Sequence, residues 1–340
     1  MMAITKVVND FLEDVVIDDV VVLQSGLINS TYKVSTSKGD FVLQKMNQTV
    51  FPKIHALLNN KIKITQYLQQ INFPTITFLS TREGLFYTHE GDDIWQLSVY
   101  VPSTVKEKIE SPVMAEKAGI FLAQFHKALL DFPITELEFT IPDFHNTPNR
   151  FNDFENKVLS ASKERLFKAS DEIEQLNFYY AKVAPVAVAI QEGVIPLRVV
   201  HNDTKIGNML FDKKGNIICI IDYDTIMPGS ILHDVGDALR TGTNTATEEE
   251  KDLTKVNFDT KIYEAFMKGY TQEALSFMTT KEAEAIHLSL PLLLFEQACR
   301  FLADYLDNDR YYTTSYEQQN LIRAKTQIHL LAQVCSYFNL

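Results

Sequence analysis

Four polar residues in the second half of the chain have the types and spacing to act on one reaction. His201 and Asp203 are followed five residues later by Asn208, and Asp222 ends the next apolar run. Transfer of a phosphoryl group asks little covalent chemistry of a protein. It needs a carboxylate that orients the attacking hydroxyl, oxygen ligands for metal ions that bridge the phosphates, and groups that hold the nucleotide. Asp203 fits the first role. Asn208 and Asp222, at the ends of neighbouring strands, can converge on one Mg²⁺. Singly, each is an ordinary polar turn residue. The ordered set of strand, His-x-Asp, four residues, Asn, second strand and Ile-Asp-x-Asp is far more specific.

A matching phosphate loop lies near the N-terminus, over residues 24–32. Gly26 allows close backbone approach, and Ser25, Asn29, Ser30 and Thr31 supply polar groups. By itself this is also a plain hairpin turn.

These residues need elements to position them. Apolar β-branched runs at 20–23, 31–36 and 41–44, separated by Gln24-Ser25-Gly26 and Lys38-Gly39-Asp40, predict an antiparallel meander. Pro52 opens a helical stretch to about Gln70. Residues 73–78, 84–88 and 94–101 read as further short strands. Beyond Pro102 helical spacing dominates. Over 113–130, Ala118, Phe121, Leu122, Phe125 and Leu129 share a face. Further helices are expected at 150–167, 172–190, 259–270, 281–305 and 316–338, interrupted by two short strands at 197–200 and 217–221. The prediction is an α+β chain of two lobes, a sheet-rich one over 1–100 and a mainly helical one over 101–340.

Composition sets the class. The chain has 340 residues, 46% of them apolar, and a formal net charge of −12. No basic stripe argues for a nucleic-acid partner. No run is read as long and apolar enough for a membrane helix, and no signal pattern opens the chain. Cys219, Cys299 and Cys335 are odd in number and widely spaced, which reads as reduced thiols in a cytoplasmic protein.

The order HxD–x4–N–strand–IDxD after an N-terminal meander resembles the aminoglycoside phosphotransferase and choline kinase group. That resemblance implies a protein-kinase-like fold, with a small antiparallel-sheet N-lobe that binds nucleotide and a larger, mainly helical C-lobe. Five stretches are more closely similar to the N-acetylhexosamine 1-kinases: FVLQKMN at 41–47, FHNTPNRF at 144–151, PLRVVHNDTK at 196–205, IDYDTIMPGS at 221–230 and RFLADYL at 300–306.

The closer resemblance implies transfer of phosphate from ATP to the anomeric hydroxyl of N-acetylglucosamine or N-acetylgalactosamine. Asp203 would orient that hydroxyl, Asn208 and Asp222 would hold Mg²⁺, and Arg300 and Tyr311 would contact the sugar. Ser25, Gly26, Asn29, Thr31 and Gln44 would face ATP. The alternative acceptor is another small hydroxylated metabolite, an aminoglycoside or a choline-like amine.

Two positions depart from the pattern. The general kinase plan pairs a strand Lys with a helix Glu, whereas here Gln44 holds the strand position with Lys45 beside it. Neighbouring strand residues face opposite ways, so only one of them can face the nucleotide. The helix that follows carries Lys61 and Lys63 and no evident Glu partner. Leu27 stands where the related sugar kinases carry His. Among the remaining polar residues, His126 reads as a packed helix-end His, and His145 as either a sugar contact or a loop brace. Asp234, Asp237 and Arg240 read as braces of the catalytic loop, and Glu248–Glu250 as a solvated run at a helix start.

Overall fold

The computed structural model describes residues 2–23 and 28–340. In chain order it shows α1 (Met2–Phe11), β1 (Ile17–Leu23), β2 (Ser30–Thr36), β3 (Gly39–Lys45), α2 (Ile54–Gln70), β4 (Thr88–Glu90), β5 (Asp93–Val99) and β6 (Thr104–Val105). Then come α3 (Pro112–Ala128), α4 (Thr147–Ser160), α5 (Lys163–Lys168), α6 (Ser170–Gln191), β7 (Arg198–Val200), β8 (Met209–Phe211), β9 (Ile217–Ile220) and β10 (Met227–Gly229). The chain closes with α7 (Ile231–Gly242), α8 (Thr260–Ala274), α9 (Thr280–Ala285), α10 (Ser289–Leu306) and α11 (Gln319–Phe338).

Contacts divide the chain into two compact units that do not follow sequence order. The first takes residues up to Val105 together with Asp131–Pro142 and Gly207–Met227. The second takes Lys106–Leu130, Asp143–Ile206 and Pro228–Leu340.

In the first unit the expected meander is present as part of a five-stranded sheet, ordered β1-β2-β3-β5-β4 with antiparallel pairing throughout. Gly39, at φ +122°, makes the β2–β3 turn. Alternation along the strands sends Val34, Phe41, Leu43, Trp95 and Leu97 to one face. There they pack against Val7, Val8 and Phe11 of α1, an amphipathic helix that the sequence reading left out. Residues 73–78 do not form the expected strand. They make one isolated bridge, Phe78 to Ser98, and Pro74 has no N–H to give to a strand ladder. A smaller sheet, ordered β6-β8-β9, completes this unit.

The second unit is helical. Its α3 lies directly on α8, where a side chain on Gly119 would run into the Phe266 carbonyl. The expected helix at 150–167 is two helices, because the Ser162 side chain caps the start of α5. The helix expected at 281–305 is likewise split into α9, a short 3-10 turn and α10. By length and composition the stretch Thr280–Leu306 is apolar enough to cross a membrane, contrary to the sequence expectation, and 72% of that window is buried as a core helix would be. The unforeseen α7 is buried on every side, and its polar residues are all partnered or enclosed. The three cysteines are buried free thiols.

Glu248–Glu250 open no helix, and although Glu249 is exposed and Glu248 partly so, both are paired. Glu248 pairs with Arg240, and Glu249 pairs with Arg323 at 2.5 Å, so each helps neutralise a largely buried guanidinium.

Candidate functional site

The first unit gathers the residues assigned to metal and nucleotide. Strands β8 and β9 form a hairpin in which Met209 faces Ile220, and the Ile221 N–H donates to the Asn208 carbonyl at 2.9 Å. Asn208 and Asp222 therefore sit at the same open end of one hairpin. Asp222 adopts a left-handed backbone conformation, φ 67° and ψ 56°, which a non-glycine residue rarely takes. Both offer hard oxygen, the donor type Mg²⁺ takes from one or two protein groups before water and phosphate complete its shell. Among the described residues no group of three or more His, Cys, Asp or Glu gathers as a ready-made metal cage. The set fits a cation brought in with phosphates.

Two residues past Asp222, Asp224 is 4% exposed and carries most of the local bonding. Lys61 of α2 lies 2.5 Å from its Oδ1, and Asn29 donates to its Oδ2 at 2.5 Å. Asn29 in turn accepts from the Asn47 N–H at 2.9 Å. Next to Lys61, Asn60 donates to the Ile226 carbonyl at 3.0 Å and to the Glu138 carbonyl at 2.8 Å. Helix α2 thus grips the segment that follows Asp222 at two consecutive positions. The sequence reading found no partner for Lys61. The partner lies 163 residues away, where no local pattern reports it.

The sheet settles which way Gln44 and Lys45 face. Lys45 is on the Leu43 side, the side covered by α1, and pairs with Asp93 at 2.6 Å. Gln44 is on the other side, level with Thr31 and Gln96 across three neighbouring strands. Its amide reaches the Thr31 hydroxyl at 3.5 Å. Ser25 and Gly26, with Leu27, lie outside the described residues.

The second unit holds Asp203. Its carboxylate is 27% exposed and 2.5 Å from the Lys205 ammonium. The loop before it is held from both sides. Asp234, fully buried, accepts the N–H of His201 at 2.8 Å and of Asn202 at 2.6 Å, and a third bond joins it to His126 at 2.9 Å. Burial would raise the pKa of Asp234, but the bond and charge of His126 and the nearby His201 outweigh it, and the carboxyl stays below its usual range. Asn202 is left-handed at φ 63°. Its side chain packs on Gly229, where a Cβ would come within 2.8 Å of Asn202 Oδ1 and 2.5 Å of Val200 Cγ2. The small residue in MPGS is thereby explained. Asp234 braces the loop, as expected of it, and His126, expected as a packed helix-end His, is buried near the end of α3 and holds Asp234 in turn.

His145 resolves in favour of bracing. It is buried between Glu296 and the Asn202 carbonyl. Arg300 stacks over Phe144 and Tyr312, at 5.3 and 5.9 Å from the ring centres. Burial works against the charge on Arg300, while Tyr312, Glu296 and Tyr311 favour it, and its pKa is raised. Tyr311 is 61% exposed and packs edge-on against Tyr312. Asp304 accepts the N–H groups of Tyr311 and Tyr312 at 2.8 and 2.9 Å, which brings this loop beside Arg300.

A sequence model of the phosphotransferase enzyme family matches residues 19–272, well over half of the chain. The chain belongs to this phosphotransferase family. Solved structures agree on the fold. An aminoglycoside phosphotransferase from Alicyclobacillus acidocaldarius superposes with a TM-score of 0.67 at 15% identity, covering 98% of this chain and 96% of that one. A spectinomycin phosphotransferase in complex with ADP and spectinomycin gives 0.61 at 15% identity, over 94% and 92%. A choline kinase from Cryptosporidium parvum gives 0.56 at 15%, over 95% and 90%. The fold is the α+β, protein-kinase-like one that the meander and the loop spacing led us to expect.

Proposed function

We propose that this phosphotransferase moves the γ-phosphoryl group of ATP to the anomeric hydroxyl of an N-acetylhexosamine, giving the sugar 1-phosphate. The O1–P bond forms, the bond from the γ-phosphorus to the β,γ-bridging oxygen breaks, ADP leaves, and the hydroxyl proton passes toward Asp203. Asp203 orients that hydroxyl, and its ion pair with Lys205 at 2.5 Å fixes the carboxylate. Asn208 and Asp222 would hold Mg²⁺, which when bound offsets phosphate charge. The Lys61–Asp224–Asn29 bonds keep the Asp222 segment in place. Thr31 and Gln44 face the nucleotide from the sheet. Arg300 and Tyr311 contact the sugar.

One observation favours a neutral sugar over a cationic acceptor. The acids near Arg300 and Tyr311 are already used within the protein. Asp304 is taken up by the backbone of Tyr311 and Tyr312 and by the Asn320 amide, and Glu296 by His145 and Thr147. A guanidinium remains beside the aromatic rings; the rings would take an ammonium as well as a sugar face, but the fixed positive charge disfavours a cation and donates to hydroxyl groups. Coupled measurement of ADP release with MgATP tests this across N-acetylhexosamines, choline and an aminoglycoside panel. Turnover confined to choline or the aminoglycosides would overturn it.

A further inference from the structure

Within the second unit a buried chain of hydrogen bonds ends on the catalytic loop. The Nδ1 of His145 lies 2.7 Å from Glu296 Oε1, and its Nε2 lies 3.2 Å from the backbone oxygen of Asn202. The two side chains are 8% and 1% exposed. Thr147 donates its hydroxyl to the other Glu296 oxygen at 2.8 Å. Burial works against the charge on Glu296, but the charge and bond of His145, with His233 and Arg300, bring its pKa down to about 2. Glu296 is therefore an ionised carboxylate, which only accepts, and the Asn202 carbonyl also only accepts. Both imidazole nitrogens face acceptors. The ring bridges Glu296 to the backbone of the catalytic loop.

The other charged and titratable groups around the ring are accounted for. His233 of α7 has its ring centre 4.6 Å from that of His145. Burial first, then the charge of His145, pushes the pKa of His233 down to about 3, so it is neutral. Arg300, one turn further along α10, is stacked over Phe144. In the His145 segment itself, Asp143 accepts from the Asn146 amide and Arg150 donates to the Phe144 carbonyl. Asp234 is occupied by His126 and the loop backbone. The anion that faces His145 is Glu296.

The Asn202 N–H is held by Asp234 and its carbonyl by His145, so both peptide planes flanking this left-handed residue are tied, and the second plane carries the Asp203 nitrogen. We propose that His145, held between Glu296 and the Asn202 carbonyl, is a positioning residue that sets the direction of Asp203. The proposal rests on the reading of Asp203 given above.

His145→Gln should lower kcat at least about tenfold while KM for ATP and for the acceptor and the denaturant unfolding midpoint hold, a split that a merely structural role would not give. Glu296→Gln should lower kcat likewise, and the double variant should lose no more than the worse single one. Because Glu296 is buried and its variant can fail to fold, amide hydrogen exchange read without substrates provides a second measurement. In His145→Gln the Asn202 and Asp203 amides should exchange faster while the helical core keeps its protection. Wild-type kcat in folded His145→Gln, or unchanged exchange at both amides, would overturn the proposal. Full turnover by Asp203→Asn would instead remove the reading beneath it and leave the exchange difference standing, so the two failures are distinguishable.

Discussion

The Lys61 ammonium lies 2.5 Å from the Asp224 carboxylate, with the two side chains 1% and 5% exposed. The general kinase plan sets a strand lysine against a helix glutamate. Here the helix carries the lysine, and its partner stands two residues past Asp222. A pair this deeply buried is costly to break from one side, because the remaining charge has no water to turn to. Lys61→Met should lower the unfolding free energy by about 3–5 kcal/mol, measured by denaturant titration. The double variant Lys61→Met/Asp224→Leu should recover much of that loss. A double variant as unstable as the sum of the single ones would show that the pair is not coupled.

Asp203 should be needed for turnover and dispensable for folding. Asp203→Asn keeps the shape and removes the charge. Its kcat should drop by roughly 10²–10⁴-fold, with the ATP dissociation constant and the unfolding curve close to wild type. Steady-state kinetics alongside nucleotide titration would check both halves.

Gly229 should tolerate no side chain without cost to the reaction. In Gly229→Ala the new methyl would press on Val200 and on Asn202, the residue before Asp203. We expect kcat to fall roughly 10–100-fold with nucleotide affinity unchanged. An alanine variant of full activity would mean that the Asn202 conformation does not govern Asp203.

Acid should destabilise the protein in two steps. His233 is held neutral down to about pH 3, against an ordinary pKa of 6.5. The unfolded chain takes up that proton as the pH falls below 6.5 and the folded chain refuses it, so stability is lost through this window. Glu296, at about 2 against 4.5, acts in the same direction below pH 4.5. Each contributes roughly 3–5 kcal/mol when fully developed. Denaturant unfolding between pH 8 and 4 should show the decline starting near 6.5, and His233→Phe should flatten its upper part. A flat wild-type curve between pH 7 and 5 would contradict this.

The sequence made some of these features legible and hid others for physical reasons. The meander could be read because β-branched runs alternate with glycine turns. The Asp203, Asn208 and Asp222 set could be read because its spacing is fixed by one loop and one hairpin. Helix α7 was passed over although Ile231, Leu232, Val235, Ala238 and Leu239 form an apolar stripe, because His233, Asp234, Asp237 and Arg240 make the segment look like a polar loop, and in the fold those residues are buried too. The partner of Lys61 and the role of His145 were hidden because both depend on contacts across more than a hundred residues. Alternation showed that Gln44 and Lys45 face opposite ways, and only the packing of α1 showed which side is which.

The most direct test of the central claim is the position of the phosphate on the product. After incubation with MgATP and N-acetylglucosamine or N-acetylgalactosamine, ³¹P–¹H correlation NMR should couple the phosphorus to the anomeric proton. Phosphate on C6, or no sugar phosphate with either substrate, would contradict the account.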